Sequence, residues 1–414
     1  MKITRVALLL LVTFLPSVFG QRLVSSASNG SMPVDKTSAR IAKAFGNYAV
    51  DLASNSIDLY KIIYTSRDEN GKAANLTGLV AWPRDGAPKG LVVFCHGTIA
   101  DRKSSPSFWK GEENGNEAET AVLAFATGGY AVVMPDYIGL GDHKAGHPYP
   151  LSVTNARSGI DIIAPARALA KQKGYSIGLK LFVTGYSEGG GIAMALTREL
   201  QNKPGADYRV ESSAPASGPY DLSGVTRQFM LKQPTNQIGF GVRLYFLSYS
   251  TYSMRKNHNV KITDYFKPAM ANSIWLNYNA NLKDEDLIKR LGLTAVLMRA
   301  KNSILNVMTP RFEHAIRTLD QRDPLVAELF KNNSFDWTPR TRMLLINLEG
   351  DAVVDPANTD KALNTMRRHG VGPDALRRYV IRDGSLNHLT AVPAAMAAAR
   401  RFFDNGFSGV REAQ

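Results

Sequence analysis

Leu181-Phe182-Val183-Thr184-Gly185-Tyr186-Ser187-Glu188-Gly189-Gly190-Gly191 is the stretch on which the reading of this chain turns. Four residues of strand character run into Gly-x-Ser-x-Gly, and a helical pattern opens at Ile192. Strand, sharp turn and helix are the setting in which this motif presents a nucleophile. Gly185 and Gly189 carry no Cβ, so strand and helix can approach closely around Ser187. The Ser187 hydroxyl is expected at the carboxyl end of the strand, beside a helix N-terminus that favours negative charge.

Outward from this turn, strands and helices alternate. Leu91–Cys95, Tyr130–Met134, Leu181–Thr184 and Val210–Pro215 read as buried strands. Ala118–Ala126, Val153–Lys171 (with Pro165 as a kink) and Ser187–Leu200 read as helices. This alternation predicts a parallel sheet with helices on both faces, an α/β architecture. Upstream, Ile57–Thr65 and Leu76–Trp82 flank Asn70-Gly71 and predict a β-hairpin. Residues 21–40 are polar and are expected to be loose.

The alternation stops near Leu222 and resumes with the strand Met343–Leu348, the helix Asn358–Arg368, the strand Arg377–Ile381 and the helix Leu389–Phe403. The expected organisation is therefore a sheet domain in two parts, 21–221 and 340–414, interrupted by a helical insertion over 222–339. An insertion on the order of a hundred residues exceeds a plain connection. It is rich in aromatics, among them Tyr245, Tyr249, Tyr265, Phe266 and Trp275. Most of these are expected to build a small core of its own, and the unit is expected to cap the site.

A serine hydroxyl needs a base in hydrogen-bond reach and a carboxylate to orient that base. Behind this kind of turn the chain order is serine, acid, histidine. Of seven histidines only His369 and His388 follow the insertion. His369 precedes Gly370 and reads as a helix C-terminal cap. His388 sits on the loop after Arg377–Ile381 and is the expected base. The strand Met343–Leu348 runs into Glu349-Gly350-Asp351-Ala352-Val353-Val354-Asp355-Pro356. Asp351 is the favoured acid. Asp355, able instead to cap the helix from Ala357, and Glu349 are the alternatives. For the oxyanion, the backbone N–H of Glu188 and that of Thr98 in His96-Gly97-Thr98 are the expected donors, with His96 structural. His143 and His147 lie in a Gly/Pro loop rather than on a helix and are not read as metal ligands, so no metal is expected. Asp136 reads as a turn-forming acid.

The formal charge is +14 on 414 residues, 44% of them hydrophobic. No basic run interleaved with aromatics accompanies that charge, which argues against nucleic acid as a partner. An ester small molecule or lipid is the expected partner, with transient contact at a lipid interface. Cys95, the one cysteine, lies in an apolar strand and reads as a buried hydrophobe. Met1–Gly20 has a basic start (Lys2, Arg5), an apolar run over Ala7–Leu15 and small residues at Val18 and Gly20. That is the pattern of a secretory signal, which predicts a secreted or periplasmic mature chain from Gln21.

His96-Gly97-Thr98, Pro135–Gly141, His147-Pro148-Tyr149, Gly185–Gly190 and His388 together resemble the α/β-hydrolase fold. Within it they resemble the secretory lipase family, with the yeast lipase A type and related bacterial esterases. The resemblance covers Gly90–Tyr220 and Met343–Phe403. It implies hydrolysis of carboxylic esters or lipids under a cap that shields the acyl pocket, without a cofactor. Such proteins often carry Val-Pro after the acid, whereas here Asp355 separates Val354 from Pro356. Two other readings stand beside it: a serine peptidase on the same scaffold, and a non-catalytic binding protein.

Overall fold

The structure, a computed structural model, describes residues 21–48, 55–203, 208–234, 237–280 and 282–410. The segment read as a secretory signal lies outside them. A nine-stranded sheet runs in the order β1-β2-β3-β5-β4-β6-β7-β8-β9. Its strands are β1 (Leu23–Met32), β2 (Ile57–Arg67), β3 (Ala73–Pro83), β4 (Leu91–Cys95), β5 (Ala131–Pro135), β6 (Lys180–Tyr186), β7 (Arg209–Ala216), β8 (Arg342–Leu348) and β9 (Leu376–Ile381). From β5 to β9 all pairings are parallel. β1, β2 and β3 extend the sheet antiparallel, and the predicted hairpin joins β2 to β3, with Gly71 at φ 79°.

β4 shows why such strands are apolar throughout. Val92 and Phe94 pack on one face of the sheet, and Leu91, Val93 and Cys95 on the other. Each large apolar side chain so buried contributes about 1.5–3 kcal/mol. The first face is covered by α1 (Val34–Phe45), α2 (Glu117–Ala121, continued by a π-turn over Val122–Ala126) and, at the end of the chain, a long helix carrying Phe402 and Phe403. α3 (Ser152–Asp161), α4 (Ile163–Gln172) and α5 (Glu188–Gln201) cover the second.

Two expectations are corrected. Residues 21–40 are not loose: β1 pairs with β2 along its length, and α1 buries Ile41 and Phe45. β1 reads as polar because it is an edge strand. Its core contact is limited to its two ends, Leu23 and Met32, so no alternation marks it. The helix expected over Val153–Lys171 is two helices with a break at Ile162 rather than one kinked at Pro165. Pro165 has no N–H for the Asp161 carbonyl, and its ring crowds that carbonyl, so the helix stops a turn ahead of the proline.

Between β7 and β8 the chain leaves the sheet for α6 (Arg227–Leu231), α7 (Gln237–Met254), α8 (Ile262–Tyr265), α9 (Pro268–Asn279), α10 (Asp284–Leu297), α11 (Pro310–Thr318) and α12 (Pro324–Lys331). These helices share a core that includes Tyr245, Phe266, Ile274, Leu291 and Phe312, and Tyr149 and Leu151 of the sheet domain join it. α7 is apolar on nearly every side because it is enclosed: α9 and α10 cover part of it and the sheet domain lies beneath. Trp275 is half exposed and serves no interior. After β8 come α13 (Ala357–Arg368), then β9 and α14 (Val392–Asn405), the helix that carries Phe402 and Phe403.

Candidate active site

The parallel strands end on one edge, and the candidate residues hang from it. β6 delivers Ser187 at φ 58°, ψ −124°, a conformation that costs a non-glycine residue of order 1–3 kcal/mol. The surroundings enforce it. The Ser187 N–H donates to the Ala216 carbonyl of β7 at 3.1 Å, and the Ser187 carbonyl accepts the N–H groups of Gly190 and Gly191 at 2.9 and 3.2 Å. A Cβ on Gly189 would lie 2.0 Å from the Cys95 carbonyl oxygen, and one on Gly185 2.5 Å from it. Only glycine lets the turn close against β4.

His388 enters from the loop after β9. Its Nε2 lies 2.8 Å from Ser187 Oγ and its Nδ1 2.7 Å from Asp351 Oδ2. The other Asp351 oxygen accepts the N–H groups of Val353 and Val354 at 2.9 and 3.0 Å. His388 and Asp351 are both buried. A charge-assisted contact screened from water in this way is short and strong. The two alternative acids have other occupations. Asp355 accepts the N–H of Ala357 at 3.0 Å at the start of α13, and Glu349 stands exposed near Arg382. His369 caps α13 ahead of Gly370.

Tyr186 went unremarked in the sequence. Its hydroxyl donates to the His388 carbonyl at 2.7 Å, which ties the histidine loop to the nucleophile strand. Nothing in the sequence marks this residue beyond its place in the variable position of the motif.

The loop after β4 is held by groups that sequence reasoning did not connect. Gly97 N–H donates to Glu117 Oε2 at 2.8 Å. Burial pushes the Glu117 carboxyl up to about 7, a rise that the bond from Gly97 partly offsets. Burial likewise pushes His96 down to about 4, so its neutral ring donates from Nδ1 to the Gly97 carbonyl at 2.7 Å. From the helical insertion, Asp284 accepts the Ala100 N–H at 2.9 Å, and the Tyr249 hydroxyl donates to the Ile99 carbonyl at 3.1 Å. The backbone N–H groups of Thr98 and Glu188 have no protein acceptor among the described residues, and both residues border the same pocket as Ser187. They are free to donate to a bound group.

Asp136, read as a turn-forming acid, is fully buried and staples two segments together. It accepts the Ser107 N–H at 2.9 Å and the Thr77 hydroxyl at 2.6 Å. His143 accepts the Gly139 N–H at 3.0 Å, and His147 reaches Glu188 instead of a partner histidine. No cluster of three metal-ligating side chains occurs among the described residues. Burial raises the Cys95 thiol to about 12, which leaves it unreactive.

Above Ser187 a largely apolar pocket opens between the sheet domain and the helical insertion. Pro219, Leu222, Met230, Leu247, Met308 and Leu325 line it, with Val353 and Val354 on the side of Asp351.

The sheet order, the strained serine between β6 and α5, and the aligned Ser187, His388 and Asp351 define an α/β-hydrolase fold. Solved structures with this architecture match nearly the whole chain. A Legionella pneumophila protein provisionally described as a hydrolase is 27% identical, with a TM-score of 0.75 over 95% of this chain and 100% of its own. The rice cell wall degrading esterase LipA from Xanthomonas oryzae, in a ligand-bound form, is 23% identical, with a TM-score of 0.76 over 94% of this chain and 99% of its own. Candida antarctica lipase A is 13% identical, with a TM-score of 0.63 over 95% of this chain and 83% of its own. No family model matches the chain, and no curated protein does.

Proposed function

We propose that the chain is a serine hydrolase of carboxylic esters, a lipase or esterase, working through an acyl-enzyme. The observation that carries this reading is the continuous series Ser187 Oγ, His388 Nε2, His388 Nδ1, Asp351 Oδ2, at 2.8 and 2.7 Å, with Ser187 lining an apolar pocket. His388 takes the hydroxyl proton at Nε2 as Ser187 Oγ adds to the ester carbonyl. Asp351 holds Nδ1–H and offsets the charge that the ring gains. The carbonyl oxygen becomes an oxyanion, and the free N–H groups of Thr98 and Glu188 receive it; each such donor is worth ~3 kcal/mol of barrier. His388 then gives its proton to the leaving alcohol. Water, activated by the same ring, releases the acid and restores Ser187.

The names of the similar proteins, esterase and lipase, support ester over amide as the substrate. The insertion over 222–339 serves as the cap, its apolar wall receiving the acyl chain. A basic chain with an N-terminal secretory pattern acts outside the cytoplasm and meets lipid at least transiently. Recovery of the chain beginning at Gln21 from medium or periplasm tests that location.

Hydrolysis of p-nitrophenyl esters by purified 21–414, beside an aminoacyl p-nitroanilide, tests the reaction. Ser187→Ala is expected to lower kcat by about 10⁴-fold or more. Full ester hydrolysis by that variant sinks the reading, and anilide cleavage above ester cleavage moves the protein to the peptidases.

A further inference from the structure

Behind the nucleophile lies a buried ionisable pair that the reaction above does not use. Glu188 follows Ser187 directly, and its Oε1 is 3.1 Å from His147 Nε2, with both side chains 2% exposed. His147 Nδ1 is 2.9 Å from the Ile138 carbonyl. A carbonyl only accepts, so Nδ1 carries a proton. The contact between Nε2 and Oε1 then needs a second proton, on one atom or the other. Imidazolium with carboxylate, or imidazole with carboxylic acid, both sum to zero charge. Among the described residues Glu188 Oε2 has no hydrogen-bond partner, so the pair is not embedded there in a wider network that could supply another proton.

The groups around the pair supply no compensating charge from within. His96, at the end of β4, is neutral, and Glu117 of α2 is itself an acid. Tyr137 lies parallel to the His147 ring at 5.9 Å, and Tyr149 and Tyr249 of α7 stand at 6.4 and 6.1 Å, all protonated phenols held so by burial. On the outer side, Arg102, Lys144, Arg255 and Lys256 border a solvent-open pocket that His147 also lines. Water screens them from Glu188.

We propose that His147 is a positioning residue for the hydrolysis: its shared proton keeps Glu188 uncharged as a pair and fixes the first turn of α5, so the Glu188 N–H meets the oxyanion without a carboxylate charge beside it. This rests on the Ser187–His388–Asp351 reading. A lone carboxylate next to the nucleophile would favour imidazolium at His388 and oppose the oxyanion. One unit charge acting over roughly 10–15 Å at an effective dielectric of about 20 displaces a titration by about one pH unit.

The test is the pH dependence of kcat/KM for p-nitrophenyl butyrate in wild type, H147Q, E188Q and H147Q/E188Q. His147→Gln keeps size and a donor but carries no proton to share. Its acid limb is expected about one unit above the wild-type limb, and adding Glu188→Gln is expected to return the limb to the wild-type position. Four superimposable limbs overturn the proposal, as does a double variant displaced like H147Q. If H147Q does not fold, imidazole ¹⁵N NMR on wild type and E188Q decides: a wild-type His147 Nδ1 without its proton between pH 6 and 8, or an Nε2 proton unchanged in E188Q, overturns the proposal, and a protonated Nδ1 that coexists with loss of the Nε2 proton in E188Q upholds it. Ser187→Ala run in parallel separates the two readings. An active Ser187→Ala removes the triad, whereas an inactive one with superimposable limbs removes only the role of His147.

Discussion

Asp351 and Asp355 are four residues apart on one loop, and the geometry assigns them different work. Asp351 meets His388 Nδ1 at 2.7 Å and is itself held by two backbone donors, while Asp355 spends its carboxylate on the Ala357 N–H. Asp351→Asn presents an amide to Nδ1 and favours the wrong tautomer, so kcat is expected to fall about 10³–10⁴-fold. Asp355→Asn is expected to leave kcat within a few-fold and to cost about 1 kcal/mol of stability or less, as a weakened cap does. Burst kinetics and thermal melts on the two variants distinguish them, and a greater loss of kcat in Asp355→Asn would reverse the assignment. Ser187 and His388 were legible because each follows the C-terminal end of a readable strand, Ser187 directly and His388 on the loop beyond, with chain order to rank the candidates. The Glu188–His147 pair was not, because forty-one positions separate its members and neither matches a spacing rule. Tyr186 was hidden for the same reason, its partner His388 being brought near only by the closing of the sheet.

At the scale of elements, the strands that read clearly are the ones buried on both faces. β4 is an unbroken apolar run and β6 is buried from Leu181 onward, whereas β1 has water on most of its side chains and gives no pattern. The same limit applies to how the cap is fastened, because the fastening is polar. His258, just after α7, bonds through Nε2 to Glu69 in the β2–β3 hairpin turn and through Nδ1 lies 3.3 Å from Glu328 of α12. These two carboxylates raise His258 from its ordinary 6.5 to about 9, against the opposing effect of burial. A folded-state value above the unfolded one gives stability that is complete below about 6.5 and is lost as pH rises through about 9. After allowance for partial solvation the contribution is about 1–2 kcal/mol. His258→Gln is therefore expected to melt about 1–2 °C below wild type at pH 6, with the gap closing by pH 9.5. A gap independent of pH would mean that the side chain acts by packing alone.

For the whole molecule, the pocket belongs to neither unit by itself. Ser187, Pro219 and Val354 come from the sheet domain, and Met230, Leu247, Met308 and Leu325 from the helical insertion. An insertion was legible as a break in the strand–helix alternation. Its arrangement was not, because seven helices of mixed length can pack in many ways and α7 has no polar face to orient it. The buried core that the insertion shares with Tyr149 and Leu151 makes the pocket wall a packed surface rather than a loose flap. On the proposed reading, this wall sets acyl length by the space it leaves. Met230 is half-buried on it, on the short helix α6, where a larger side chain displaces pocket space instead of core. Met230→Trp is expected to lower kcat/KM for p-nitrophenyl palmitate at least about tenfold relative to p-nitrophenyl acetate. One or two lost methylene contacts are worth 1–3 kcal/mol in a hydrophobic site, and a blocked chain forfeits several. The acetate rate reports whether Ser187 and His388 are still aligned, and the ratio of the two esters reports the wall. An unchanged ratio with both rates intact would show that the acyl chain leaves Ser187 by another route and that the apolar pocket under the insertion holds something else.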